Sequence, residues 1–375
     1  MSTLTAAPYR VACTVSLGGH AYPLWFESDE SLTMTGDALT AFRLLPAMVA
    51  GEDMTIDGAD TLLLESLPEI VAIYRRFVVG TRDIRFDIRQ PQPTSRSSTR
   101  TAAFFSGGID SLYVLASRMP SITDLVMVHG FDIPYRDEVS FAAARANAET
   151  VATACGKRLI VVRTNLREDD GAIFGQTGAT WAMYHGAAIA GVAHLLGFGR
   201  ALIGSSYDYA TIHPWGSHPL LDPLWSTGTT SIEHVGTALR RVDKVAEIAR
   251  LHPTLLDDLR VCWQPNAAGA NCGTCEKCLR TMANLAAVGA TRLCRTLPTE
   301  LPADAIRRLA LTHGAALFWA EMEGAPRLSP AVRAAIRATL HNERFGLTPW
   351  NGTLKSGLWR LRDYGRAFTA PLQAL

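Results

Sequence analysis

Charge is scarce in this sequence, and neither sign dominates. Only 19% of the 375 residues are Asp, Glu, Lys or Arg, with 36 basic against 35 acidic side chains and a formal net charge of +1. Such a balance offers no broad cationic surface to a nucleic-acid backbone, and so argues against nucleic acid as the main partner. Also missing near the N-terminus is a basic segment followed by an apolar block and a small-residue cleavage site. That absence sets the expectation of a cytoplasmic chain without a secretory signal. The longest apolar stretch, about 186–204, is interrupted by His194, Arg200 and several glycines. It reads as a buried helix followed by a strand rather than a membrane span. Two nucleotide motifs are absent as well: the Gly-Lys-Ser/Thr loop of the usual nucleotide hydrolases and the Gly-x-Gly-x-x-Gly of dinucleotide binders.

Apolar residues, by contrast, reach 48%, enough for a large core and against disorder. The length fits two domains, or one with sizeable extensions. Residues 1–90 read as a small α+β domain. A hairpin runs through Val11, Cys13, Val15 and Leu17, turns at Gly18-Gly19 and returns over Tyr22 to Phe26. Helices are expected over 37–50, kinked at Pro46, and over 61–77, where Pro68 threatens a split; a strand is expected over 84–88. The Pro/Ser-rich segment 91–100 reads as a linker.

From residue 101 strands and helices alternate. Strands are expected over 101–105, 125–129, 159–162 and 201–203, with helices over 110–117, 141–155 and 181–195 between them. This order predicts an α/β fold with a doubly wound parallel sheet, helices on both faces, over residues 101–295. Ligands of such sheets bind beyond the carboxyl ends of the strands, where the strand order reverses. Residues 296–375 read as a helical extension.

The segment Ser106-Gly-Gly-Ile-Asp-Ser111 stands between the strand expected at 101–105 and the helix expected from 110. Gly107 and Gly108 let the backbone adopt conformations closed to other residues, and its amides, with the positive end of the helix, make a site for phosphate. Ser106 and Ser111 add hydroxyls. Asp110 repels a bare phosphate, so its expected role is to hold Mg²⁺ bridging the phosphates. Its replacement by alanine is therefore expected to abolish turnover with little loss of folding.

Four of the seven cysteines, Cys262, Cys272, Cys275 and Cys278, crowd into seventeen positions. In a cytosolic chain this points to a metal rather than to disulfides. Four thiolates suit a closed tetrahedral Zn²⁺ site with a structural role. Three cysteines at intervals of three also fit an iron–sulfur cluster, but Cys262 supplies a fourth ligand and no proline follows, which favours zinc. Cys13, Cys155 and Cys294 sit among apolar neighbours and read as packing residues.

The string 106–111 resembles the signature of the PP-loop ATP pyrophosphatases (adenine nucleotide alpha hydrolase-like). With the four cysteines about 150 residues later, residues 101–290 are similar to the 7-cyano-7-deazaguanine synthase family. The resemblance implies binding of ATP with Mg²⁺, transfer of AMP to a carboxylate or amide oxygen of a small molecule, release of pyrophosphate, and attack by a nitrogen donor. In these enzymes the loop cradles the pyrophosphate. The resemblance places His129, after the second strand, at the nucleotide pocket, and Gly204 and Ser205, after the fourth, near the adenosine. The segment around Arg241 and Lys244 resembles the Lys-containing helix start of many PP-loop enzymes, which assigns both residues to the phosphates. An ordinary solvated basic helix fits them equally. The family's string after the second strand is replaced here by Asp132-Ile-Pro-Tyr-Arg136, so its substrate is not carried over. An RNA-modifying PP-loop enzyme and a nucleotide-binding protein without turnover remain the alternatives.

The loop holding Ser205, Asp208 and His213 to His218 has the polar, aromatic composition of a substrate-recognition segment. Arg280 reads either as an anion clamp or as a surface ion pair. The stretch 355–366, mixing basic and apolar residues, reads as a helix packed on the main domain or lying on a membrane surface. The oligomeric state is left open, a homodimer included.

Overall fold

A computed structural model describes residues 9–17, 19–92, 98–168, 180–262, 264 and 270–345. The chain divides into two compact units, 1–299 and 300–375. The first is built on a seven-stranded sheet. Its strands are β1 (Tyr9–Leu17), β2 (His20–Ser28), β5 (Thr101–Phe104), β6 (Asp124–His129), β7 (Arg158–Thr164), β8 (Arg200–Gly204) and β9 (Ser231–Val235). β3 (Met54–Asp57) and β4 (Phe86–Arg89) form a separate parallel pair.

The sheet order is β1-β2-β7-β6-β5-β8-β9. The last five are all parallel, and taken in chain order they run third, second, first, fourth, fifth, the order of a doubly wound sheet. Almost every residue of β5 and β6 is buried, as expected of strands covered on both faces. Between them run α3 (Ile109–Arg118), α4 (Glu138–Ala154) and α5 (Trp181–Leu196), and after β9 come α6 (Arg241–Leu251) and α7 (Glu276–Val288). The strand order reverses between β5 and β8, so the loops leaving these two strands flank one crevice.

The expected N-terminal domain does not stand alone. The hairpin forms, with Gly19 in the left-handed region, but β2 pairs antiparallel with β7 through Phe26 and Thr164 and so extends the central sheet. The Ser28 hydroxyl donates to the Val161 carbonyl, and the Thr164 hydroxyl to that of Trp25. The first helices, α1 (Gly36–Ala50) and α2 (Thr61–Phe77), join the same core. Phe42 of α1 stacks on Phe26 at 4.7 Å, and its carbonyl accepts from Tyr184 of α5 at 2.7 Å. The hairpin therefore buries its apolar face against the sheet and helices of the α/β unit rather than within a core of its own. Pro68 does not split α2: burial of Leu63, Leu67, Ile70 and Tyr74 outweighs the lost backbone bond. The stretch read as a linker is held at both described ends, by the Asp60–Gln92 bridge and by Arg100, whose guanidinium spans Glu30 and Asp124.

The second unit shows α8 (Ala303–Arg307), α9 (His313–Ala320) and α10 (Pro330–Arg344), a helical segment as expected. Ser329 and Thr312 cap two of these helices, and buried Thr339 ties α10 to the Ile306 carbonyl. The stretch 355–366 lies outside the described residues. Among those described, no helix is long and apolar enough to cross a membrane.

Candidate active site

Residues 106–111 leave β5 and enter α3 at the crevice. Gly107 has φ +77°, a conformation that L side chains avoid, and it lies against the Arg260 and Asn147 side chains. The loop is held from within: the Ser111 hydroxyl donates to the Gly108 carbonyl at 3.0 Å and accepts from the Ser106 amide at 3.3 Å. It is also held from outside, because the Arg260 amide donates to the Gly107 carbonyl at 2.9 Å. Gly108 is the N-cap of α3 and offers no capping side chain. Among the described residues, no protein carbonyl accepts from the amides of Gly107, Ile109 or Asp110. An anion-accepting helix start is thus left available at the mouth of the crevice, beside the exposed Ser106.

Asp110 meets the two cations assigned with it. The Arg241 guanidinium lies 2.5 Å from its carboxylate and the Lys244 ammonium 3.2 Å. Burial raises the Asp110 pKa, but Arg241 and Lys244 together outweigh it and hold the carboxyl below its ordinary value. Both cations occupy the first turn of α6, where the helix dipole opposes positive charge. Lys244 is also fully buried and donates to the Ser205 carbonyl as well. Two unfavourable placements in one turn are accounted for by Asp110. The solvated-helix alternative for these residues is therefore not what the structure shows. As a carboxylate, Asp110 is a hard oxygen donor suited to Mg²⁺, which commonly takes only one or two protein carboxylates beside phosphate oxygens.

Gly204 ends β8 directly beneath this loop. A Cβ there would stand 2.9 Å from the Asp110 carbonyl oxygen, so the close approach of β8 to the first turn of α3 requires glycine. Gly204→Ala is expected to push that turn aside, costing about 1–3 kcal/mol of stability. Affinity for an anion such as pyrophosphate at that turn should fall about tenfold with it; urea unfolding and a pyrophosphate titration measure the two effects.

The other assigned residues divide. Ser205 turns its hydroxyl to the Tyr207 carbonyl and contributes its own carbonyl to Lys244. His129, expected to line the pocket, is instead enclosed, with its Nδ1 lacking a hydrogen-bond partner among the described residues. Its ring is fully buried, stacks on Phe141 at 3.9 Å and bonds the Pro134 carbonyl through Nε2. Burial lowers its pKa, as befits a packed, neutral ring. In the recognition loop, Tyr207, His213 and Trp215 pack edge to face, with Tyr207 and His213 centroids 4.2 Å apart. Arg280 is no surface ion pair: its side chain is buried with Glu276 at 3.2 Å. Burial, then the nearby Arg241 charge, pulls its pKa down to about 10.

Missed in the sequence is Lys277, which feels the charges of Asp132, Arg280, Arg241 and Glu276, and whose pKa burial lowers. Its only sequence signal was its place inside the cysteine cluster. Arg241, Lys244, Lys277 and Arg280 thus outnumber Asp110, Glu276 and Asp132, and the crevice favours an anion.

The four cysteines do come together. All four sulfurs lie within 4.8 Å of one another, and Cys262–Cys275 and Cys272–Cys278 are each 3.8 Å apart. The edge of a tetrahedron around one ion with Zn–S bonds of about 2.3 Å is about 3.8 Å. The Cys272 sulfur also accepts from the amides of Thr274 at 3.5 Å and Cys275 at 3.2 Å, bonds that favour thiolate. Cys275 is held down to about 5 by its hydrogen bond with Cys278. The set could hold a metal such as zinc. Its neighbours reach the crevice: Arg260 stands two residues before Cys262, and Cys275 is the N-cap of α7, which carries Lys277 and Arg280. No family model, curated protein or solved structure matches this chain.

Proposed function

We propose that the chain is an AMP-forming ATP-dependent ligase. ATP would set its β- and γ-phosphates on the 106–111 amides and on Arg241 and Lys244. A carboxylate or amide oxygen of a small molecule then attacks the α-phosphorus; the bond from that phosphorus to the bridging oxygen breaks, and pyrophosphate leaves with the electron pair. A nitrogen donor next attacks the activated carbon, loses a proton, and expels AMP. Mg²⁺, held through Asp110, would offset charge on the departing phosphates. The loop amides and the two cations are fixed before reaction and stabilise charge where it develops. Lys277 and Arg280 suit the carboxylate of the acid. A single tetrahedral Zn²⁺ fits the sulfur spacing better than an iron–sulfur cluster, which would spread the thiolates over separate irons.

The observation that carries this function is the open anion-accepting turn at the strand-order reversal, with Asp110, Arg241 and Lys244 gathered over it. Incubation with ATP labelled at the α-phosphate, ammonia and a panel of carboxylic acids should release AMP and pyrophosphate in equal amounts. Release of ADP and phosphate would overturn the assignment. ATP binding without pyrophosphate release would make the chain a nucleotide-binding protein instead.

A further inference from the structure

When a nitrogen donor attacks an activated acid, its proton must pass to a base. Arg241, Lys244 and Arg280 are cations, Lys277 suits the carboxylate of the acid, and Asp110 and Glu276 are each held by one or more of these cations. The recognition loop after β8 brings a histidine to the same crevice. Ser205 opens that loop and gives its carbonyl to Lys244, and the Tyr209 amide bonds the Thr237 carbonyl ahead of α6. Between these two anchors the Tyr207 ring feels the charges of Arg241, Arg280, Asp110 and Glu276. The His213 ring meets that of Tyr207 edge to face at 4.2 Å, and the Trp215 ring lies 5.9 Å from it.

We propose that His213 is the base that takes the proton of the nitrogen donor, through Nε2; this rests on the ligase function proposed above. Its Nδ1 lies 3.0 Å from the Thr211 carbonyl, an oxygen that can only accept, so Nδ1 carries the ring proton and Nε2 the lone pair. Thr211 is fixed in turn. Asp208 Oδ1 accepts from its amide and its hydroxyl, each at 2.8 Å, and from the Ala210 amide at 3.0 Å. Among the described residues no group bonds His213 Nε2, and the residue is only half-buried, which leaves the lone pair open to a ligand. Two neighbouring histidines are committed elsewhere: His218 Nδ1 accepts from the Leu220 amide, and His234 Nδ1 bonds the buried Asp222 carboxylate. In the transfer step the neutral nitrogen adds its lone pair to the adenylated carbon. One N–H bond breaks, its proton passes to Nε2 and its electrons stay on nitrogen; the bond from carbon to the AMP oxygen breaks, and AMP leaves with that pair. The imidazolium then returns the proton to solvent. Among the titratable groups near that charge, Asp208 offsets it, and His218, whose pKa burial lowers, stays neutral.

The two half-reactions separate a base from a packing residue. His213→Asn keeps an amide donor for the Thr211 carbonyl but has no basic nitrogen. With ATP and an acid of the panel that supports AMP release, this variant should exchange labelled pyrophosphate into ATP at a near-native rate. Its formation of amide from ammonia should fall by about a hundredfold or more. His213→Ala leaves room for free imidazole, which at fixed pH should raise amide formation at least about tenfold while leaving the exchange unchanged. Loss of exchange and transfer together, without rescue by imidazole, would make His213 a packing partner of Tyr207 and Trp215 and overturn the base. Native amide formation in either variant would overturn it as well, and both results leave the ligase function standing. If the native protein neither exchanges pyrophosphate nor releases AMP with any acid, the ligase function itself fails and the base with it.

Discussion

Asp110→Ala is expected to abolish AMP formation and also to destabilise the fold by about 2–3 kcal/mol, whereas Asp110→Asn is expected to abolish turnover with far less loss of stability. The difference lies in Lys244. Its ammonium is buried and pairs with the Asp110 carboxylate at 3.2 Å. Alanine removes the carboxylate that offsets that charge and the Arg241 charge beside it. Asparagine removes the negative charge but retains an oxygen that accepts from both. The cost is set below that of breaking a fully buried pair because the Asp110 side chain is 21% exposed. For a unit of this size it corresponds to a fall in Tm of about 5 °C for alanine.

On the chemical side both variants lose the carboxylate that would hold Mg²⁺, and pyrophosphate release should fall by about a thousandfold or more. Paired urea titrations and an assay of AMP release check the two halves separately. Alanine and asparagine variants of equal stability would show that Lys244 is satisfied without Asp110. An asparagine variant with native turnover would remove Asp110 from the reaction. From the sequence alone, alanine at this position looks harmless to the fold, because nothing in the string 106–111 shows that a lysine about 130 residues later is buried against it.

That contrast marks what the sequence made legible. The turn at 106–111 could be read because a tight passage from a strand end into a helix start demands glycine, a local pattern. The cysteine cluster could be read because metal ligation fixes both residue type and spacing. The core strands of the α/β unit announced themselves as apolar runs between helices. β9 was missed, since Ser231, Glu233 and His234 dilute its apolar pattern and it follows a long irregular stretch. β3 was missed because four residues are too few for a periodicity. The separate N-terminal domain was expected because a hairpin followed by amphipathic helices looks self-sufficient; that its partner is β7 is a long-range pairing with no sequence signature. His129 looked available at a strand end, where ligands bind, yet Phe141 covers its ring. Conversely, Arg241 and Lys244 break the rule that cations avoid the first turn of a helix. Such breaches of a local preference gather at functional sites, and here the breach coincides with the loop.

Loss of a metal from the four-cysteine set is expected to have the second large effect, and to reach the turn at 106–111 although no cysteine belongs to that turn. Two covalent paths lead from the sulfurs to the crevice. Cys262 follows Arg260, whose amide bonds the Gly107 carbonyl and whose side chain packs on Gly107. Cys275 and Cys278 fix the start of α7, and with it Lys277 and Arg280. The Asn271 side chain ties the two paths together, accepting from the amides of Val261 and Cys262 and donating to the Leu259 carbonyl. Without an ion, thiolates this close repel one another, and the knuckle that orients both paths loses its organising centre. Because ligand binding and local folding are coupled at structural metal sites, the loss should amount to several kcal/mol, a fall in Tm of at least about 10 °C. Metal analysis of the purified protein should return one zinc per chain and no acid-labile sulfide. Cys275→Ser, or dialysis against a strong chelator, should release the zinc and weaken Mg²⁺-nucleotide binding at least about tenfold, with Asp110, Arg241 and Lys244 unaltered in sequence. Iron with sulfide in the metal analysis would overturn the zinc assignment. Unchanged nucleotide affinity in the zinc-free protein would instead show that Arg260 holds the 106–111 turn without help from the cysteines.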